Sequence, residues 1–150
     1  MQVQELHDLI AGMHQAYYDR GGPNTQIEMM LAPVIDGRLG FLQIDAGSRE
    51  EWYAAAAAAV RQSRASAYCA VSEAWMATAK RAGDPVAALA PSRRSDRQEV
   101  VTTVCVGRAG DRASSVKAIR RDPATARVVA LVDLEGVDMA DGDLFRLFEH

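Results

Sequence analysis

Apolar residues recur at spacings of three and four between residues 3 and 19. Val3, Leu6, Leu9, Ile10, Met13 and Tyr17 fall on one stripe, the period of an amphipathic helix. "DRGGPN" at 19–24 ends it, with Gly21 or Gly22 suited to a left-handed cap and Pro23 to the exit. The period then shortens to two. Ile27, Met29 and Leu31 alternate with Gln26, Glu28 and Met30, and "DGR" at 36–38 supplies a tight turn into a returning strand over 39–45. A second helix is predicted over 49–63. Ser48 stands three residues before Glu51, a capping box, and the alanines that follow have high helix propensity. Trp52, Ala56, Ala59 and Val60 are expected to face the sheet.

From Ser66 onward the pattern is that of strands, predicted over about 66–78, 98–107, 113–122 and 126–135. "GRAGDR" at 107–112 and "DPAT" at 122–125 are short turns, so the last three strands form an antiparallel meander. The connection at 80–95 is longer, of a length that in compact domains often serves function. Asp141 can cap a short C-terminal helix. The order αββαββββ(α), without regular βαβ alternation, argues against a doubly wound parallel sheet. The expected fold is α+β: one domain over 1–150, a mainly antiparallel sheet of five to six strands, and two helices packed on one face.

Composition narrows the class without naming a function. With 49% hydrophobic and 25% charged residues and a net charge of −3, the chain reads as an ordinary globular protein. The mild charge argues against nucleic acid as partner. The N-terminus lacks a basic segment followed by an apolar one, and the longest apolar run, 54–60, is too short to span a bilayer, so no membrane and a cytoplasmic location are expected. Cys69 and Cys105 lie inside apolar runs and read as two buried thiols of a reducing compartment; a disulfide would require their strands to be neighbours.

The candidate chemistry centres on Glu73. On a strand it shares a face with Ala67, Cys69, Val71 and Trp75, where a lone carboxylate would be costly, so it must be paired, protonated or open to water. If strands 66–78 and 98–107 form a hairpin, Arg97 and Glu99 come towards Glu73 and Trp75. Arg97 could then clamp the carboxylate and stack on the indole. A catalytic reading makes Glu73, Asp96 and Glu99 an acid cluster with Arg97 as an anion clamp. Separately, Arg93, Arg94 and Arg97 beside Ser92 and Ser95 could hold a phosphate or nucleic acid, which the small size of the patch and its lack of interleaved aromatics disfavour. A structural reading, which the lack of a nearby nucleophile or histidine favours, makes Glu73 and Arg97 an ion pair that sets strand register. His7 and His14 are seven residues apart, about 10 Å along a helix, too far for one metal, so no metal or cofactor is expected. No nucleophile-elbow, zincin, phosphate-loop or dinucleotide fingerprint is present.

"SEAWM" followed by "PSRRSDRQEVV" resembles a family of small bacterial and phage proteins in which a Glu-Ala-Trp strand precedes a Pro-Ser loop and an Asp-Arg-x-Glu strand. The resemblance covers about residues 66–106, with weaker similarity in "AIRRD" at 118–122. That family often has proline before the Asp-Arg pair, where this chain has Ser95. No activity is attached to the family, so the resemblance implies pairing of the two segments and no mechanism. The expected function is a small interaction module that self-associates or binds another protein, on the strength of the alanine-rich helix and apolar strand residues Met29, Met30 and Tyr68. The alternative is a hydrolase or small-anion-binding enzyme built on Glu73, Asp96, Arg97 and Glu99.

Overall fold

The computed structural model describes residues 1–76, 97–134 and 143–149. Helix α1 runs over Val3–Gly21 and ends where Gly22, at φ 76°, returns its amide to the Tyr18 carbonyl. Strand β1 (Met30–Ile35) turns at Asp36-Gly37, both with positive φ, into β2 (Arg38–Leu39). The returning strand expected over 39–45 is broken: Gly40 donates its amide to the Pro33 carbonyl, and pairing resumes in β3 (Leu42–Gln43). Helix α2 (Arg49–Gln62) opens with the predicted cap. Ser48 Oγ accepts from the Glu51 amide at 3.1 Å, and Glu51 accepts from the Gly47 amide at 2.8 Å. Four strands follow: β4 (Ala67–Met76), β5 (Gln98–Gly107), β6 (Arg112–Arg121) and β7 (Val128–Asp133). A 3₁₀ segment, Asp143–Glu149, stands where a terminal helix was expected.

Among the described residues the sheet has seven strands, in the order β2-β1-β4-β5-β6-β7 with β3 also on β1, and all these pairings are antiparallel. The α+β architecture is therefore as expected, with two two-residue strands added at one edge. The helices do not share a face. Strand alternation makes both faces apolar, and each takes its own cover. α1 packs through Leu6, Ile10 and Tyr18 on Cys69, Val71, Val101 and Cys105. α2 and the 3₁₀ segment pack through Trp52, Ala56 and Leu147 on Leu31, Tyr68, Ala70 and Val104.

Three local expectations change. Leu9, Met13 and Tyr17 leave the buried stripe of α1, which consists of Val3, Leu6, His7, Ile10, Ala11, His14 and Tyr18. Each of the exposed residues stands about 100° around the helix from a buried neighbour, so the apolar arc is wider than the contact. Tyr68, expected at the surface, is fully buried, while Met29 and Met30 are half-buried. Cys69 and Cys105 are not free thiols. They stand directly opposite in the β4–β5 register, with Cα atoms 4.1 Å apart, and are joined by a disulfide.

Candidate functional site

The β4–β5 register pairs Glu73 with Val101 and Trp75 with Glu99, so both acids lie on the face covered by α1. The hairpin that the sequence implied is present. Arg97 takes one of its two expected roles: its guanidinium carbon lies 4.6 Å from the Trp75 ring centroid, over a half-exposed indole. The cation beside Glu73 is not Arg97 but Arg121, from the far end of β6, with Nη2 3.9 Å from Glu73 Oε1. Arg121 reaches inward because β6 flanks β5 and ends beside Glu99. Nε donates to Glu99 Oε2 at 2.7 Å, Nη1 to the Ala126 carbonyl at 2.9 Å, and Nη2 to the Thr25 carbonyl at 2.7 Å. Arg93, Arg94 and Asp96 lie outside the described residues.

Glu73 is equally engaged. Oε1 accepts from the Tyr18 hydroxyl at 2.8 Å and Oε2 from the Ile27 amide at 2.9 Å. Burial pushes its carboxyl above the ordinary range, and the charge of Glu99 adds to the push. The Tyr18 hydroxyl, the Ile27 amide and Arg121 act against it. Burial, followed by the bond to Glu73, pushes the Tyr18 phenol up as well. The group thus ties three pieces of chain to one end of the sheet: the end of α1, the 25–27 segment and the 122–127 turn. That is an architectural clasp. Tyr18 and Arg121 escaped the sequence reasoning because both lie far from Glu73 along the chain; "AIRRD" was the one hint.

A second polar row joins α1 to β6. His7 Nε2 lies 2.8 Å from Ser115 Oγ, and His7 Nδ1 lies 3.1 Å from Asp8 Oδ1. The order is that of a nucleophile, a base and an orienting acid. Asp8 is mostly in solvent and also accepts from Gln4, and Ser115 and His7 line neither of two cavities, of about 670 and 340 Å³, that the described residues form. The row pins the helix to the sheet.

The larger cavity, about 670 Å³, opens between α1 and the β1–β3 edge. Met13, Tyr17 and Arg20 line one side, and Ile27, Met30 and Phe41 the other. Its rim carries the exposed apolar residues of this region: Met13 is 45% exposed, Tyr17 52% and Phe41 51%. His14 sits in the wall, buried, with neither ring nitrogen hydrogen-bonded among the described residues. Burial, then the charges of Lys117 and His7, lowers its pKa to about 4, so it is neutral at pH 7. The smaller cavity, about 340 Å³, lies beside Val34 and Gly107.

Among the described residues no group of three or more His, Cys, Asp or Glu could hold a metal, and no helix is long and apolar enough to cross a membrane. Comparison with protein-family models, with curated proteins and with solved structures finds no match. The functional reading therefore rests on geometry alone.

Proposed function

We propose that the chain is a small interaction module that self-associates and works by surface contact. The observation that carries this is the apolar strip of Leu9, Met13 and Tyr17 on α1, set across an open cavity from Phe41. An exposed, contiguous apolar patch of this kind is the usual mark of a docking surface. It takes over the part that strand periodicity assigned to Tyr68, Met29 and Met30. The enzyme alternative on Glu73, Asp96, Arg97 and Glu99 has less support, because both oxygens of Glu73 already accept protein hydrogen bonds. The likeness to small bacterial and phage proteins draws its support from the pairing of the Glu73–Trp75 strand with the strand of Glu99. The disulfide favours an oxidising compartment over the cytoplasm.

Sedimentation velocity at tens of micromolar tests self-association. The expected species has twice the 16.2 kDa chain mass. A species of 16.2 kDa throughout the range would end the proposal.

A further inference from the structure

Helix α1 shows solvent two strips of different character. On one edge lie Gln4, Asp8, Gln15 and Asp19, whose side chains satisfy each other one turn apart: Gln4 donates to Asp8 at 2.9 Å and Gln15 to Asp19 at 3.0 Å. On the other edge lie Leu9, Met13 and Tyr17, bounded by Glu5 towards the N-terminus and Arg20 towards the C-terminus. Neither Glu5 nor Arg20 is in an ion pair among the described residues.

We infer that this strip docks on its own copy, with two α1 helices antiparallel across a two-fold axis at Met13. The inference rests on the self-association reading and adds to it the surface and the orientation. The strip is arranged almost symmetrically about Met13. Leu9 and Tyr17 lie four residues to either side, so an antiparallel pair sets each leucine against the partner's tyrosine. Glu5 and Arg20 lie eight and seven residues out, so the same pairing sets acid against base at both ends. A parallel pair would oppose like charges there and align the helix dipoles unfavourably. A two-fold axis makes the contact isologous and closes it at a dimer.

Close approach is open as well. A Cβ built on Gly12 meets nothing within 4 Å, and Ala16 is the small residue one turn on. The cavity beside the strip gives each partner's tyrosine or leucine a place to enter, the helix-in-groove mode of recognition. Nineteen residues of helix extend about 28 Å, and Phe41 across the cavity widens the patch towards the roughly 800 Å² per partner of a standard interface.

The test is sedimentation of the wild type, Glu5→Arg, Arg20→Glu, the double swap and Met13→Glu, at low salt, with circular dichroism to confirm folding. Each single swap should weaken the dimer about tenfold. The double swap should restore it, and Met13→Glu should leave a monomer. A wild-type monomer would sink both this inference and the self-association reading. A dimer indifferent to the single swaps or to Met13→Glu, or not restored by the double swap, would overturn the α1 pairing and leave self-association standing.

Discussion

On the sheet face covered by α2, burial is almost entirely of neutral groups. The helix offers Trp52, Ala56, Ala57 and Val60, and the sheet offers Leu31, Ala70 and Val104. Apart from the Trp52 indole nitrogen, which is buried with no hydrogen-bond partner among the described residues, its polar side chains come in closed sets. The Tyr68 hydroxyl donates to the Leu144 carbonyl at 2.5 Å and accepts from the Leu147 amide at 3.3 Å, while Ser72 and Thr102 bond each other at 2.9 Å. On the face covered by α1, the strands carry a disulfide and a partly buried acid–acid–arginine group, and the helix itself buries two histidines against them. The difference follows from what each cover must hold. The α2 face has only to close over hydrocarbon, for which alanine allows near approach. The α1 face must also fix the segment between α1 and β1 and the 122–127 turn, whose carbonyls need donors that hydrocarbon cannot supply. Arg121 supplies them.

The deepest cut through that contrast is Arg121→Met. It leaves Glu73 and Glu99 without their cation and the Thr25 and Ala126 carbonyls without a donor, while keeping most of the side-chain volume. Removing one partner from a buried charge group is expected to cost about 3–5 kcal/mol. Urea denaturation should show it as a lower midpoint. Unchanged stability would mean that the clasp is ornamental and the two faces are alike. Replacing Cys69 and Cys105 by alanine comes next. The bridge joins positions 36 apart in sequence, and opening a loop of that size costs roughly 4 kcal/mol. The same loss should follow reduction of the wild type and be absent when the double variant is treated with the same reductant.

Much of this contrast is legible in the sequence in its local parts. The alternation from Ala67 to Trp75 and the Ser48–Glu51 cap state their structures within a few residues, and the observed elements lie close to the predicted ones. Glu73 stands out as a charge on an apolar face, and its face is the one that alternation assigns. What stays hidden is lateral. Arg97 is nearer along the chain, but β6 brings Arg121 beside Glu99, and no periodicity encodes which strand lies two places away. The division of the helices between faces is hidden for a related reason: an amphipathic stripe says that a helix is covered, not by which side of the sheet. The α1 stripe also misleads by its width, since Leu9 and Met13 look as core-like as Ile10 until the contact is seen.

The smallest effect expected separates the faces by pH. His14 is ordinarily half-protonated near pH 6.5 and is held near 4 in the fold, chiefly by burial and then by the charges of Lys117 and His7. Between those values the unfolded chain takes up a proton that the native protein refuses, so stability is lost as pH falls through that window. At pH 5 the loss amounts to about 2 kcal/mol. His14→Met should abolish it. Because neither ring nitrogen has a partner to forfeit among the described residues, the substitution should cost less than about 1 kcal/mol at pH 7. Glu73 works in the opposite sense, since its raised pKa makes stability fall as pH rises through it, but that slope is common to both proteins and cancels in their difference. Urea midpoints of wild type and His14→Met should therefore coincide near neutrality and diverge on acidification, with the variant the more stable. Midpoints that run parallel down to about pH 5 would show that His14 is not the acid-sensitive group of the α1 face.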